Sequence, residues 1–165
     1  MADFFFHGLE SGPWGSKARD LAHVYPDLES PDFSSIRSTA QVEERFAIAE
    51  EATRGREGLV IVGSSFGGLI ASLLATRYPE RVAGLVLCAP ALHLPEAHLC
   101  GFECPAIIIH GRWDDIVPHS VSAQAARAEQ VMLISVNDGH RLAESGGVIL
   151  AAAQSIKALI ASSEA

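Results

Sequence analysis

Leu59-Val60-Ile61-Val62-Gly63-Ser64-Ser65-Phe66-Gly67-Gly68-Leu69-Ile70-Ala71 is the stretch from which the rest of the chain can be read. Residues 59–62 are apolar and largely β-branched, which suits a strand covered on both faces. A glycine-bounded turn follows, and a helix begins without a pause. The turn, Gly63-Ser64-Ser65-Phe66-Gly67, fits Gly-x-Ser-x-Gly. On a tight strand-to-helix turn this pattern puts one serine at the tip, in a strained backbone conformation. Glycines on either side remove the β-carbons that would strike the strand and the helix. Ser65 is then the serine at the tip, and Ser64 lies beneath it. The same five residues also suit a plain turn closing a βα unit. They do not suit nucleotide phosphates, because neither Gly-x-Gly-x-x-Gly nor Gly-Lys-Ser/Thr is present.

Bulk properties narrow the alternatives. At 165 residues the chain is expected to form one domain, residues 1–165, burying roughly 70% of its unfolded surface. The formal charge of −8 argues against nucleic acid or an anionic membrane as partner. No run of about 20 apolar residues is present, so no membrane span is expected. The N-terminus lacks a basic region followed by a long apolar core, and a cytoplasmic location is expected. Cys88, Cys100 and Cys104 are then reduced thiols. Cys100 and Cys104, with His93 and His98 nearby, do not make a familiar ligand spacing, so no metal and no cofactor are expected.

Taken in order, the chain alternates apolar runs with helical segments. Strands are expected at 3–8, including the His7-Gly8 exit, and at 59–62, 82–88, 105–110 and 131–136, with a doubtful short one around Val24 to Leu28 beside Pro26 and Pro31. Helices are expected from Ser16, from Ser38 or Thr39 as cap, from Leu69 to Tyr78, from Ser120 to Ala128 and from Leu150 to Ile160. Val42, Phe46 and Ala49 give the second helix its apolar face. Leu92 to Glu103 reads as a short loop. Fully apolar strands alternating with helices imply a mostly parallel sheet of about six strands with helices on both faces. Ligands in such sheets sit past the carboxyl ends of the strands.

Ser65, Asp114, Asp115 and His140 all lie at such ends. A serine hydroxyl is a weak nucleophile until a histidine takes its proton and an acid orients that histidine. His140, in the loop after the last strand, is the candidate base. His23, His93, His98 and His119 read as surface residues, and His7 and His110 as shaping the glycine turns beside them. Asp114 and Asp115 compete for the acid, with Asp138 third because it lies so close to His140. Asp115 could instead cap the turn that follows. Donors for an oxyanion are expected from the backbone N–H of Phe66, after the nucleophile, and of Leu9, after His7-Gly8.

Five segments in this order, HGLESGP, GSSFGG, RYPERVAGLVLCAPA, HGRWDDIVP and DGHRL, resemble the α/β-hydrolases over nearly the whole chain. The first and last resemble especially the small bacterial members of the esterase type. The resemblance implies a minimal α/β-hydrolase fold and a Ser-His-Asp triad. Its His-Gly-x-x-Asp-x-x-Val-Pro pattern aligns the acid with Asp114. Members commonly insert a cap domain before the strand carrying the acid; here the interval is only Leu92 to Glu103. A capless site would be open and shallow, lined by Leu9, Trp14, Phe66, Leu92 and Trp113. The implied activity is hydrolysis of a small-molecule carboxylic ester, short-chain or displayed on something larger. A thioesterase or amidase with the same triad, an acyltransferase, and a non-catalytic binding protein are the alternatives.

Overall fold

Residues 3–165 are described by a computed structural model. Five strands form its sheet: β1 (Phe4–Phe6), β2 (Leu59–Ser64), β3 (Val82–Cys88), β4 (Ala106–Gly111) and β5 (Met132–Val136). They lie side by side in chain order, and every neighbouring pair is parallel. Helices α1 (Ser16–Val24) and α2 (Val42–Ala52) connect β1 to β2. Helix α3 (Phe66–Arg77) leads to β3, α4 (His119–Glu129) links β4 to β5, and α5 (Gly146–Ser163) closes the chain. Between β3 and β4 there is only a short 3-10 helix, Pro95–Leu99, and no cap domain.

The apolar runs are explained by two cores, one on each face. Phe4, Phe6, Leu59, Ile61, Leu85, Leu87 and Ile108 point to one face, where α2, α3 and Ala126 of α4 cover them. Phe5, Val60, Val62, Val86, Cys88, Ile107 and Ile109 point to the other, under α1 and α5. Strand side chains alternate between faces, so a strand covered on both must be apolar throughout. Each fully buried Val, Leu, Ile or Phe contributes about 1.5–3 kcal/mol of transfer free energy. Helix α5 is long and apolar enough, at a mean hydropathy of 1.3 over 18 residues, to cross a membrane by length and composition. Here Ile149, Ala152, Ala153 and Ile156 pack it onto the sheet.

Register decides where the site forms. Phe6 stands beside Gly63, Ser64 beside Cys88, Cys88 beside Ile109, and Gly111 beside Val136. The exits of all five strands therefore share one edge of the sheet. The turn from β2 into α3 is the tightest of them. A β-carbon at Gly67 would overlap the Phe6 carbonyl oxygen and stand 2.7 Å from that of His7. One at Gly63 would come within 2.8 Å of Gly67 O and Gly68 Cα. Glycine is required at both positions, because no L side chain accepts such contacts with backbone.

Three expectations are corrected in detail. The doubtful strand around residues 24–28 shrinks to a single bridge, Glu29 beside Phe4, so the sheet has five strands rather than about six. Val24 is instead the last residue of α1, and Pro26 and Pro31 interrupt the N–H ladder that a longer strand needs. Helix α2 starts at Val42 behind Gln41, without a side-chain cap, while the Ser38 hydroxyl accepts the Ala40 N–H in the preceding turn. The loop after β3 contains the 3-10 helix.

Gly67→Ala tests the elbow packing. It should lower the urea midpoint sharply, by about 3 kcal/mol in stability or by failure to fold. Gly12→Ala, where an added β-carbon meets nothing within 4 Å, should leave the midpoint near wild type.

Candidate active site

Ser65 sits at the junction of β2 and α3 with φ 53 and ψ −116, a conformation that a residue with a β-carbon adopts at a cost of order 1–3 kcal/mol. Backbone bonds hold it there. Its N–H donates to Cys88 O (2.9 Å), and its carbonyl accepts from Gly68 and Ala91 (3.0 and 2.9 Å). The hydroxyl makes no helix-cap bond. It stands 3.0 Å from His140 Nε2, while His140 Nδ1 lies 2.7 Å from Asp114 Oδ2. The structure thus brings Ser65, His140 and Asp114 into one hydrogen-bonded chain. A carboxylate can only accept, so His140 carries its proton on Nδ1 and offers the Nε2 lone pair to the Ser65 hydroxyl. The chain runs inward from solvent: the His140 side chain is 19% exposed and that of Asp114 is fully covered.

Asp114 does two jobs at once. Oδ2 takes the His140 bond, and Oδ1 accepts the N–H groups of Ile116 and Val117 (2.9 and 2.8 Å). The turn-capping role considered for Asp115 therefore belongs to Asp114, and Asp115 is exposed. Burial pushes the Asp114 carboxyl up. The His140 bond and the two N–H donors outweigh this and hold it below the usual carboxylate range. Asp138 serves a third purpose. Its carboxylate accepts from Gly139 N–H, Glu144 N–H and the Ser145 hydroxyl (2.8, 2.9 and 2.8 Å), which fixes the loop that presents His140.

The residues nominated for the oxyanion lie near the serine. The β-carbon position of Gly8 is 3.4 Å from Ser65 Cβ, which puts the exit of β1 against the elbow. Among the described residues no acceptor takes the N–H of Leu9 or of Phe66. The Phe66 ring, by contrast, is buried in the core, so this residue offers the site its backbone alone. Trp14 and Trp113 are 47% and 67% exposed, and Leu92 packs partly against the core. Two hollows lie elsewhere. One of about 920 Å³ runs between β5 and α5, and one of about 250 Å³ lies between α1 and α5; neither is lined by Trp14, Leu92 or Trp113.

Three further side chains shape this edge, and their roles are not plain from the sequence. His110 is fully buried, with Nε2 2.9 Å from both Val117 O and Asp114 Oδ2, and Nδ1 2.6 Å from the Ser122 hydroxyl. Burial pulls its pKa down, so it is a neutral imidazole whose Nε2–H donates to the Val117 carbonyl beside the carboxylate oxygen that His140 uses. His119, expected at the surface, is half-buried and meets the Ser135 hydroxyl at 2.7 Å. Arg45 is completely buried, and its guanidinium donates to the carbonyls of His7 and Gly8 (2.7 and 2.9 Å). The signal for Arg45 was its position: with Val42, Phe46 and Ala49 it completes the i, i+3, i+4, i+7 stripe of the inner face of α2.

The family model of the alpha/beta hydrolase fold matches residues 1–142. Among curated proteins, abhydrolase domain-containing protein abhd-5.2 of Caenorhabditis elegans is 36% identical over 98 residues, covering 51% of this chain and 22% of that protein. Pimeloyl-[acyl-carrier protein] methyl ester esterase of Sodalis glossinidius is 26% identical over 126 residues, covering 71% of this chain and 44% of that protein. The chain thus spans less than half the length of either. Among solved structures, one from Xanthomonas campestris pv. campestris, described as of the alpha/beta hydrolase superfamily, superposes with a TM-score of 0.79 at 27% identity. It covers 94% of this chain and 96% of its own. Est1E from Butyrivibrio proteoclasticus shares the fold, with a TM-score of 0.76 at 12% identity over 97% of this chain and 88% of its own. With more than half of its length matched by the family model, the chain belongs to the alpha/beta hydrolases.

Proposed function

We propose that this hydrolase cleaves carboxylic esters through an acyl-enzyme on Ser65. The observation that carries the reading is the unbroken chain from Ser65 Oγ to His140 to Asp114, at 3.0 and 2.7 Å. Ser65 Oγ attacks the ester carbonyl carbon while its proton passes to His140 Nε2. Asp114 holds the imidazole in the tautomer that can accept this proton and stabilises the imidazolium that results. The N–H groups of Leu9 and Phe66 receive the oxyanion. When the tetrahedral intermediate collapses, the bond to the alcohol oxygen breaks and His140 gives that oxygen the proton. Water then enters, His140 takes one of its protons, and the hydroxide attacks the acyl carbon. The second collapse releases the carboxylic acid and returns the proton to Ser65.

The ester preference is supported by the Sodalis relative, named as a methyl ester esterase. The absence of a cap between β3 and β4 supports an open site suited to short-chain esters, or to esters displayed on a larger carrier. Trp14, Leu92 and Trp113 are the side chains proposed to meet the substrate there.

A fluorophosphonate probe, read by intact and peptide mass spectrometry, tests the nucleophile. One adduct on Ser65, lost in Ser65→Ala, is the expected result; a folded wild type that takes no adduct overturns the reading. An ester, thioester and amide panel, graded by acyl length, then tests the substrate class, and a maximum at long acyl chains would sink the open-site proposal.

Asp114→Asn should lower kcat by roughly 10⁴-fold, and Asp115→Asn should barely change it. Stability supplies an independent check. The folded pKa of Asp114 lies below the unfolded value of about 3.8. As pH falls, the unfolded chain therefore binds the proton first. The stabilisation present above the unfolded value is lost as pH drops through the folded one. Urea midpoints measured from neutral to strongly acid pH should fall less steeply for Asp114→Asn than for wild type, whereas Asp115→Asn should follow wild type.

A further inference from the structure

Among the arginines and lysines of the described residues Arg45 alone is fully buried, and no carboxylate pairs with it. Its Nη1 and Nη2 donate to His7 O and Gly8 O. Its guanidinium carbon lies 4.8 Å from the centre of the Phe33 ring and 4.7 Å from that of Phe66. Its Nε has no acceptor. Burying an unpaired cation is costly, and an apolar side chain would fill the inner face of α2 without that cost. The position of the two bonds suggests what the charge does.

Gly8 O and Leu9 N–H belong to one peptide group. No peptide bond among the described residues is cis, so this oxygen and this hydrogen point in opposite directions. Two donors converge on the oxygen: Arg45 Nη2 at 2.9 Å and His7 Nδ1 at 2.8 Å. His7 is fixed in turn, because its Nε2 accepts the Phe33 N–H at 2.9 Å and therefore Nδ1 carries the proton. Burial lowers the pKa of His7 and pulls that of Arg45 only to about 10, so one stays neutral and the other charged near neutral pH. Pinning the oxygen on the inner side aims the Leu9 N–H outward. Hydrogen bonds to a carbonyl also polarise the peptide and make its N–H a stronger donor, the more so when the donor is a cation in a dry interior. The same guanidinium lies over the ring of Phe66, the residue whose own N–H is the second nominated donor.

We propose that Arg45 is the positioning residue of the oxyanion hole, holding and polarising the Gly8–Leu9 peptide while bracing Phe66; this rests on the serine-hydrolase reading above. Lysine is not equivalent. Only the planar fork of arginine reaches two successive carbonyls while lying over two rings. The transition state carries the oxyanion, so Arg45 acts on kcat and leaves KM almost untouched.

The test uses Arg45→Met and Arg45→Lys, with folding followed by circular dichroism and thermal melts. Kinetics are measured on a short-chain p-nitrophenyl ester. Binding is measured for a trifluoromethyl ketone, which forms a tetrahedral oxyanion on the serine. The expected result is a fall in kcat of roughly 10- to 100-fold in Arg45→Met, with KM nearly constant and ketone affinity reduced in step with kcat/KM. Arg45→Lys should recover only part of this. A merely structural Arg45 would change the melting temperature and leave kcat and ketone affinity alone in the folded fraction. That outcome overturns the proposal, as does a change confined to KM. Should Arg45→Met fail to fold, Arg45→Lys decides: a kcat indistinguishable from wild type rejects the proposal. A wild type with no ester turnover and no Ser65 adduct overturns the hydrolase reading itself, and this proposal with it.

Discussion

The contact of Gly67 with the carbonyls of Phe6 and His7 is the constraint on which the rest of the site depends. A helix normally starts some distance from a neighbouring strand, because its side chains stand between them. Here the first turn of α3 lies directly on the exit of β1, and only hydrogen fills the gap. The approach turns Ser65 out of the elbow and sets the Gly8–Leu9 backbone beside it. It also leaves the N–H groups of Leu9 and Phe66 without acceptors among the described residues. Parallel register does the rest, bringing the exits of β4 and β5 to the same edge, where Asp114 and His140 are waiting.

The polar groups around this edge form two separate clamps, and each ends in backbone. One runs from Ser122 through His110 to the Val117 carbonyl and Asp114. The other runs from the Phe33 N–H through His7 to the Gly8 carbonyl, joined by Arg45. Both histidines are buried and held neutral by desolvation. Each is a rigid relay with one donor and one acceptor nitrogen, both used. Such groups lose little freedom when the neighbouring chemistry happens, which is the condition for electrostatic preorganisation.

Much of this was legible in the sequence, for identifiable reasons. The strands were readable because both faces are covered, so Leu59 to Val62 and Ile107 to Ile109 are apolar without interruption. The elbow was readable because its steric demand is met by glycine alone. What escaped depends on partners far along the chain. Arg45 meets carbonyls 37 and 38 residues away, and nothing local distinguishes it from a surface arginine except its place in an apolar stripe. Asp114 and Asp115 both follow the same strand, and only the resemblance, through its His-Gly-x-x-Asp-x-x-Val-Pro pattern, pointed to Asp114. The structure sets Asp114 Oδ2 against His140 while Oδ1 accepts the Ile116 and Val117 N–H groups, a turn geometry that residue order does not reveal. The segment around residues 24–28 failed as a strand because α1 runs to Val24 and Pro26 and Pro31 deny the N–H groups of a longer ladder, leaving a bridge at Glu29.

The positive φ of Ser65 has a consequence for how such a chain can change over generations. Glycine is the one residue at ease in this backbone conformation, and serine is held there by the elbow at an energetic cost. Substituting glycine would relax the turn and remove the hydroxyl together. On the proposed mechanism, folding and chemistry therefore pull in opposite directions at this single position. A lineage freed from the demand for turnover would be drawn downhill toward a sturdier and silent version of the same fold.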